Sequence, residues 1–230
     1  MARHACHKLE QSDATPPETR ARAMRIAIIS AGNVGSALAR RLAAHGHDVT
    51  LAFSRDRAKL EAVARAVGAR SAEPREAAAT AEIVVLATPW AVTEAALQSA
   101  GDLSGKLVWD CTNPLKPDMS GLVLGTETSG GEQAGSRARV VKAIPPFAEQ
   151  MSREGQILLE GGRSPNVFVC GDDPQARKTV AALVRDIGAE PALAGPLSNA
   201  RFAEPAGMLL VQLAYRQGMG PSIGLSLLRG

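Results

Sequence analysis

Apolar residues fall along the chain in two alternating rhythms. Short unbroken runs closed by a turn signal alternate with longer stretches in which apolar positions recur every three or four residues. The run at 26–29 ("IAII") reads as a parallel strand buried on both faces. After it, Val34, Leu38 and Leu42 stand at i, i+4 and i+8 and predict a helix that Gly46 ends. Residues 48–53 predict a strand. Residues 56–67 predict a helix with Leu60, Val63, Ala64 and Val67 on one face and Gly68 as its stop, and 69–71 a short strand. Further buried strands are expected at 83–87, 107–110, 140–143 and 167–170, and a weaker one at 189–193. Between the last two, 174–187 reads as a helix with Asp173 at the N-cap and Pro174 in the first turn. The Asp172/Asp173 pair is therefore read as a cap and not as a catalytic pair. In the Gly-, Ser- and Thr-rich link between Pro114 and Arg139, "SGGE" spaces Ser129 and Glu132 as a capping box, which predicts a short helix. A last helix is expected from about Asn199, kinked or interrupted at Pro205.

Repeated β-α units predict an α/β fold, a Rossmann-type doubly wound, mostly parallel sheet with helices on both faces and a small C-terminal helical segment. The main domain is expected over 24–195, and 196–230 should complete its cleft. Residues 1–23 lack the apolar stretch of a signal peptide. They read as a disordered extension, or as the product of a start placed too early, since Met24 abuts the first strand.

Composition narrows the function more than the fold. Net charge is +3, from 26 basic and 23 acidic residues with no basic run, which argues against a nucleic-acid partner. No apolar run approaches the roughly 20 residues needed to cross a bilayer. Cys6, Cys111 and Cys170 form no CxxC pair and no metal-ligand spacing, so a reducing cytoplasm is expected.

The chemistry-bearing stretch is "SAGNVG", which occupies the six positions of a GxGxxG dinucleotide fingerprint between the first strand and first helix. Gly32 would let the backbone approach a pyrophosphate. Asn33 and Val34 open the helix whose free N–H groups receive it, and Gly35 would let helix and strand pack closely. Ser30 stands where the first glycine is usual. Its cost is on the order of 1 kcal/mol if the position needs positive φ, and small otherwise.

The second strand selects the dinucleotide. NAD sites place a carboxylate at its end to hold the ribose 2′-hydroxyl. Here the strand runs into "SRDRAK", where Ser54 offers a hydroxyl, Arg55 a planar fork, and Lys59 a cation one turn along the next helix. That set suits a 2′-phosphate, hence NADP. "ATPW", "CTNPL" and "AIPPF" each follow a later strand at its carboxyl end, where open α/β sheets bind ligands. Trp90 either walls that cleft or packs in the core, while Cys111 reads as a buried thiol. His4 and His7 lie in the extension and His45 and His47 at the far end of the first helix. Tyr215 is far along the last helix, and Asp110 ends a strand near the cleft, where it either serves the cleft or caps the following turn. Lys142 is then the one candidate ammonium acid. A carbonyl reductase needs such a group, whereas exchange of a hydride with a flavin-like carrier needs alignment. No catalytic residue is assigned.

Seven segments carry a resemblance: "IAIISAGNVGSALA", "SRDRAKL", "VVLATPW", "CTNPL", "TSGGEQ", "VVKA" and "GPLSNARFAEPAGMLLVQLAY". In this order they resemble the NADPH-dependent oxidoreductases of coenzyme F420, a deazaflavin hydride carrier. The resemblance implies hydride transfer between NADPH and the deazaflavin, or a flavin such as FMN or FAD, and a homodimer. It maps the 2′-phosphate contacts onto Ser54, Arg55 and Lys59. It puts the nicotinamide near Thr88, Pro89, Trp90, Asn113 and the segment after Lys142, beginning Ala143 and Ile144. Relatives commonly carry a "KAFNT"-like sequence where this chain has "KAIPPF", so its acceptor side is shaped differently. The competing readings are an NADPH-dependent reductase of a small carbonyl or imine, and a noncatalytic NADP-binding regulator.

Overall fold

A computed structural model describes residues 22–135, 138–228 and 230. The expected disordered extension therefore lies outside the described residues except at its end, where Arg22 pairs with Glu82. The chain begins β1 (Arg25–Ile29), α1 (Asn33–Ala44), β2 (Asp48–Ala52), α2 (Arg57–Ala66) and β3 (Arg70–Ser71). It continues α3 (Pro74–Thr80), β4 (Ile83–Leu86), α4 (Thr93–Ala100), β5 (Leu107–Asp110), α5 (Gly130–Ala134) and β6 (Arg139–Lys142). Then come α6 (Ala148–Met151), β7 (Asn166–Gly171), α7 (Pro174–Asp186), β8 (Glu190–Leu193) and α8 (Ala200–Val211). All the patterned strands and helices form within a few residues of their expected bounds. Ser129 caps α5 by accepting the Glu132 N–H, and Asp173 caps α7 by accepting from Gln175 and Ala176. Asp172 does other work, accepting the Leu197 N–H at 3.0 Å.

The sheet order is β3-β2-β1-β4-β5-β6-β7-β8, doubly wound about β1 and β4. The strands from β3 across to β6 are parallel. β7 is antiparallel to β6 and meets it only at Val141↔Gly171 and Lys142↔Cys170, while β8 lies parallel to β7. The parallel rule stops there for a physical reason. A parallel crossover needs a helix long enough to cover the sheet, and the link from β6 to β7 contains only the four-residue α6.

Side chains of β1 alternate between two cores. Ile26 and Ile28 pack with Leu38 and Leu42 of α1 and Val180 and Val184 of α7. Ala27 and Ile29 face Ala77 and Ala78 of α3 and Ala96 and Ala100 of α4. The second core explains why α3 and α4 were not expected. Their buried positions are mostly alanine, which gives no strong apolar stripe in the sequence but lets helices lie close to a sheet. α8 also departs from expectation, running through Pro205 without a break and ending in a π-helical turn, Gln212–Arg216. Ala200, Glu204 and Met208 seat it along one buried face, and that packing outweighs the lost hydrogen bond.

Candidate cofactor cleft

β1 delivers its last residue to a turn shaped by serine. Ser30 is buried and its Oγ accepts the Gly32 N–H at 3.1 Å. Among the described residues only Phe53 and Met119 are non-glycines in the left-handed region, so Ser30 carries no backbone strain. A Cβ at Gly35 would lie 2.7 Å from Ser30 O and 2.9 Å from Ser30 Cβ, so glycine is what lets α1 close on β1. A Cβ at Gly32 would touch only Ser30 Oγ, at 3.4 Å, and Asn33 beside it is exposed. No side chain caps α1, which leaves its first-turn N–H groups free to hold an anion. Val34 is half-buried against the core and can offer only its backbone.

β2 ends at Ala52, and Phe53 turns the chain with φ of 67°. Ser54 Oγ donates to Asp56 O at 2.9 Å and accepts from Asp56 N at 3.2 Å. Its hydroxyl is thus partly committed to its own turn. Asp56 is committed too, accepting the Lys59 N–H at 3.0 Å as the cap of α2. Arg55 and Lys59 are exposed, and among the described residues neither enters an ion pair. Two free cations at the end of β2 fit a 2′-phosphate better than a bare ribose.

Beyond β4, Thr88 is buried with its Oγ1 3.0 Å from Thr93 Oγ1, and Pro89 is exposed. Trp90 is half-buried and lies against Gly130, where a Cβ would come 2.9 Å from the indole ring. It therefore both packs on α5 and keeps a face to solvent. Asn113 donates from Nδ2 to Glu204 O at 3.1 Å, and Gly207 of α8 seats against Asn113 and Ile144. Ala143 differs from expectation. It is fully buried and its carbonyl accepts the Trp109 indole N–H at 2.8 Å, so Ile144 is the first residue of that segment with surface to offer.

Under this edge lies a charge cluster whose acidic member on α8 escaped the sequence reading. Lys142 is fully buried, with Nζ 2.8 Å from Asp110 Oδ2, 2.8 Å from Glu204 Oε1, and donating to Thr112 O at 2.7 Å. Glu204 also accepts the N–H groups of Gly130 and Gly131 at 3.0 Å each. Burial pushes the Lys142 ammonium down, but the two carboxylates outweigh it and its pKa ends above the ordinary lysine value. Buried, ion-paired to both carboxylates and hydrogen-bonded to Thr112 O, Lys142 is no surface acid; it ties β5, β6, α5 and α8 together. The signal for Glu204 was available as a lone acid between Ala200 and Met208 on an otherwise apolar helix face.

The remaining candidates sort by burial. Desolvation pushes the Cys111 thiol far up and that of Cys170 to about 11, so both are inert. His47, at the end of α1 away from the turn, bonds Asp186 at 3.0 Å. Tyr215, expected far from the cleft, instead meets Phe147 edge-on with ring centroids 5.9 Å apart. Its π-helical turn carries it back to the segment that follows β6.

Parallel strands ordered 3-2-1-4-5-6, with an uncapped glycine turn at the switch point, define a Rossmann-type α/β fold. Residues 25–114 of the chain match the family model described as NADP oxidoreductase, coenzyme F420-dependent. Over 200 residues, 86% of the chain, it is 26% identical to metalloreductase STEAP3 of Rattus norvegicus, of which it spans 39%. A solved structure from Arthrobacter sp. FB24, provisionally assigned as an F420-dependent NADP-reductase, aligns with a TM-score of 0.78. The two are 29% identical over 90% of this chain and 100% of that one. A hypothetical protein from Sinorhizobium meliloti aligns with a TM-score of 0.67 at 26% identity, over 90% and 96% of the two chains. No helix among the described residues is long and apolar enough to cross a membrane.

Proposed function

We propose that the protein transfers a hydride between NADPH and a planar deazaflavin (coenzyme F420) or flavin-type acceptor, holding the two rings face to face. The observation that carries this is the state of the cleft's ionisable groups. The Lys142 ammonium is shared between the Asp110 and Glu204 carboxylates out of reach of solvent, which leaves none of the three as a free acid or base beneath the expected nicotinamide. Such a floor suits a reaction that needs alignment more than proton transfer from the protein. The proton that accompanies the hydride to the acceptor then comes from water.

The residues present fit NADP. The uncapped first turn of α1, with Gly32 open beside it, would receive the pyrophosphate. Arg55 and Lys59, with Ser54 once its hydroxyl leaves Asp56, would receive the 2′-phosphate. Thr88, Pro89, Trp90, Asn113 and Ile144 would flank the nicotinamide. When bound, the coenzyme supplies the hydride. Pro145 and Pro146 lack backbone donors and stiffen the segment opposite.

The test is NADPH oxidation with and without added coenzyme F420, FMN or FAD. Turnover that requires one of these carriers is expected. Turnover with a free carbonyl or imine and no carrier would replace this reading with that of a small-substrate reductase. Tight NADP binding with no turnover on any acceptor would make the protein a regulator.

A further inference from the structure

The segment leaving β6, residues 144–147, which the hydride-transfer reading puts on the acceptor side, leads directly into α6. Phe147 is the cap of that helix, its carbonyl accepting the N–H of Gln150 at 3.0 Å and of Met151 at 3.2 Å. Wherever α6 is held, Phe147 and the two prolines before it are held as well.

Two side chains from remote parts of the sequence do the holding. Arg41, in the last turn of α1, points its guanidinium at the carboxyl end of α6. Its Nε donates to Met151 O at 2.8 Å, and its Nη2 to Arg153 O at 2.7 Å with a longer contact to Gln150 O at 3.5 Å. Nη1 donates to Gly155 O. One planar cation thus answers four carbonyls at and just beyond this helix end, of which Gln150 O also accepts the Arg153 N–H at 3.3 Å, with the charge favoured by the helix dipole. Gly188 closes over it, since a Cβ there would lie 3.5 Å from Arg41 Nη1. At the other end of α6, the Tyr215 ring stands at 89° to Phe147, and its hydroxyl lies 3.5 Å from Glu149 Oε1.

We propose that Arg41 is a positioning residue for the acceptor. Through α6 it fixes the wall formed by residues 145–147, against which the acceptor ring lies. This rests on the hydride-transfer reading above. The opposite end of α1 faces the pyrophosphate turn, so one rigid helix sets the donor and acceptor sides relative to each other. Displacements of about 1 Å are enough to slow aligned transfers severely.

The experiment uses the full chain with Arg41→Lys and Arg41→Ala, assayed for NADPH oxidation with coenzyme F420 and for NADP+ binding by calorimetry. A lysine has one point charge and cannot span four carbonyls, so Arg41→Lys should raise the acceptor KM about 10-fold, on the scale of such misplacements. Arg41→Ala should raise it further, and the NADP+ Kd should stay within about twofold, a difference too small for one lost hydrogen bond. From the opposite side, Tyr215→Ala should reproduce the KM rise and Tyr215→Phe, which keeps the ring, should not. Parallel loss of NADP+ affinity would mean that α1 as a whole is disturbed, and would overturn the proposal. So would an unchanged acceptor KM in both Arg41 variants. If the native protein turns over with none of F420, FMN and FAD, the hydride-transfer reading fails on its own account. Hydrogen exchange of the NADP+-bound protein then decides the clamp: faster exchange over residues 148–155 in Arg41→Lys supports it, and unchanged exchange overturns it.

Discussion

A serine at the head of a glycine turn is tolerated here because the position never enters the left-handed region, and because its hydroxyl takes up the Gly32 N–H. The same bond removes one donor from the proposed phosphate site. Ser30→Gly should therefore keep NADPH binding or tighten it a few-fold in calorimetry, as expected for one recovered hydrogen bond; loss of binding would contradict this account of the turn. Among the described residues Arg55 enters no ion pair, so Arg55→Ala should weaken NADPH about 10-fold or more while leaving NADH nearly unchanged, the scale of a charge-assisted bond to phosphate. Equal losses for both coenzymes would remove the 2′-phosphate assignment. Residue types and spacing made the glycines and both cations legible. What spacing could not reveal was competition for the same groups, as when Ser54 turns onto Asp56 or Ala143 gives its carbonyl to Trp109.

At the scale of elements, legibility followed side-chain contrast. α1, α2 and α7 carry Leu and Val on one face and charges on the other, and could be read with their caps. α3, α4 and the short α6 could not, because alanine faces and four-residue helices leave little periodicity. The cap of α7 offers a clean test. Backbone N–H groups of Ala176 and Gln175, with Arg139 nearby, hold the Asp173 carboxyl below the usual aspartate range. A depressed folded pKa stabilises above the ordinary aspartate value and is lost as pH falls through the folded one. Asp173→Ala should lower the melting temperature by about 2–5 °C at pH 7. The gap to the native protein should narrow on acidification toward pH 2, and a gap constant from pH 7 to pH 2 would mean that the carboxylate is not the cap's source of stability.

The whole molecule is held together at a point no local pattern marks. Lys142 joins four elements through two carboxylates and a carbonyl, all buried. Lys142→Met should cost about 3–5 kcal/mol in urea unfolding, because it leaves two carboxylates without their cation. The Lys142 pKa is raised in the folded state, so its stabilisation is complete below the ordinary lysine value and is lost as pH rises through the folded one. The difference between native protein and variant should accordingly shrink only in strongly alkaline solution.

The sequence by itself determined what depends on neighbours along the chain: strands too apolar to face water, helices with a marked face, their caps, a glycine turn after the first strand and a basic stretch after the second. Only the tertiary structure decided what depends on partners far apart in sequence. It reversed β7, because α6 is too short to carry the chain back. It buried Lys142 between Asp110 and Glu204, and it brought Arg41 and Tyr215 to the two ends of α6. Burial and long-range pairing are properties of the packed chain, and no window of residues contains them.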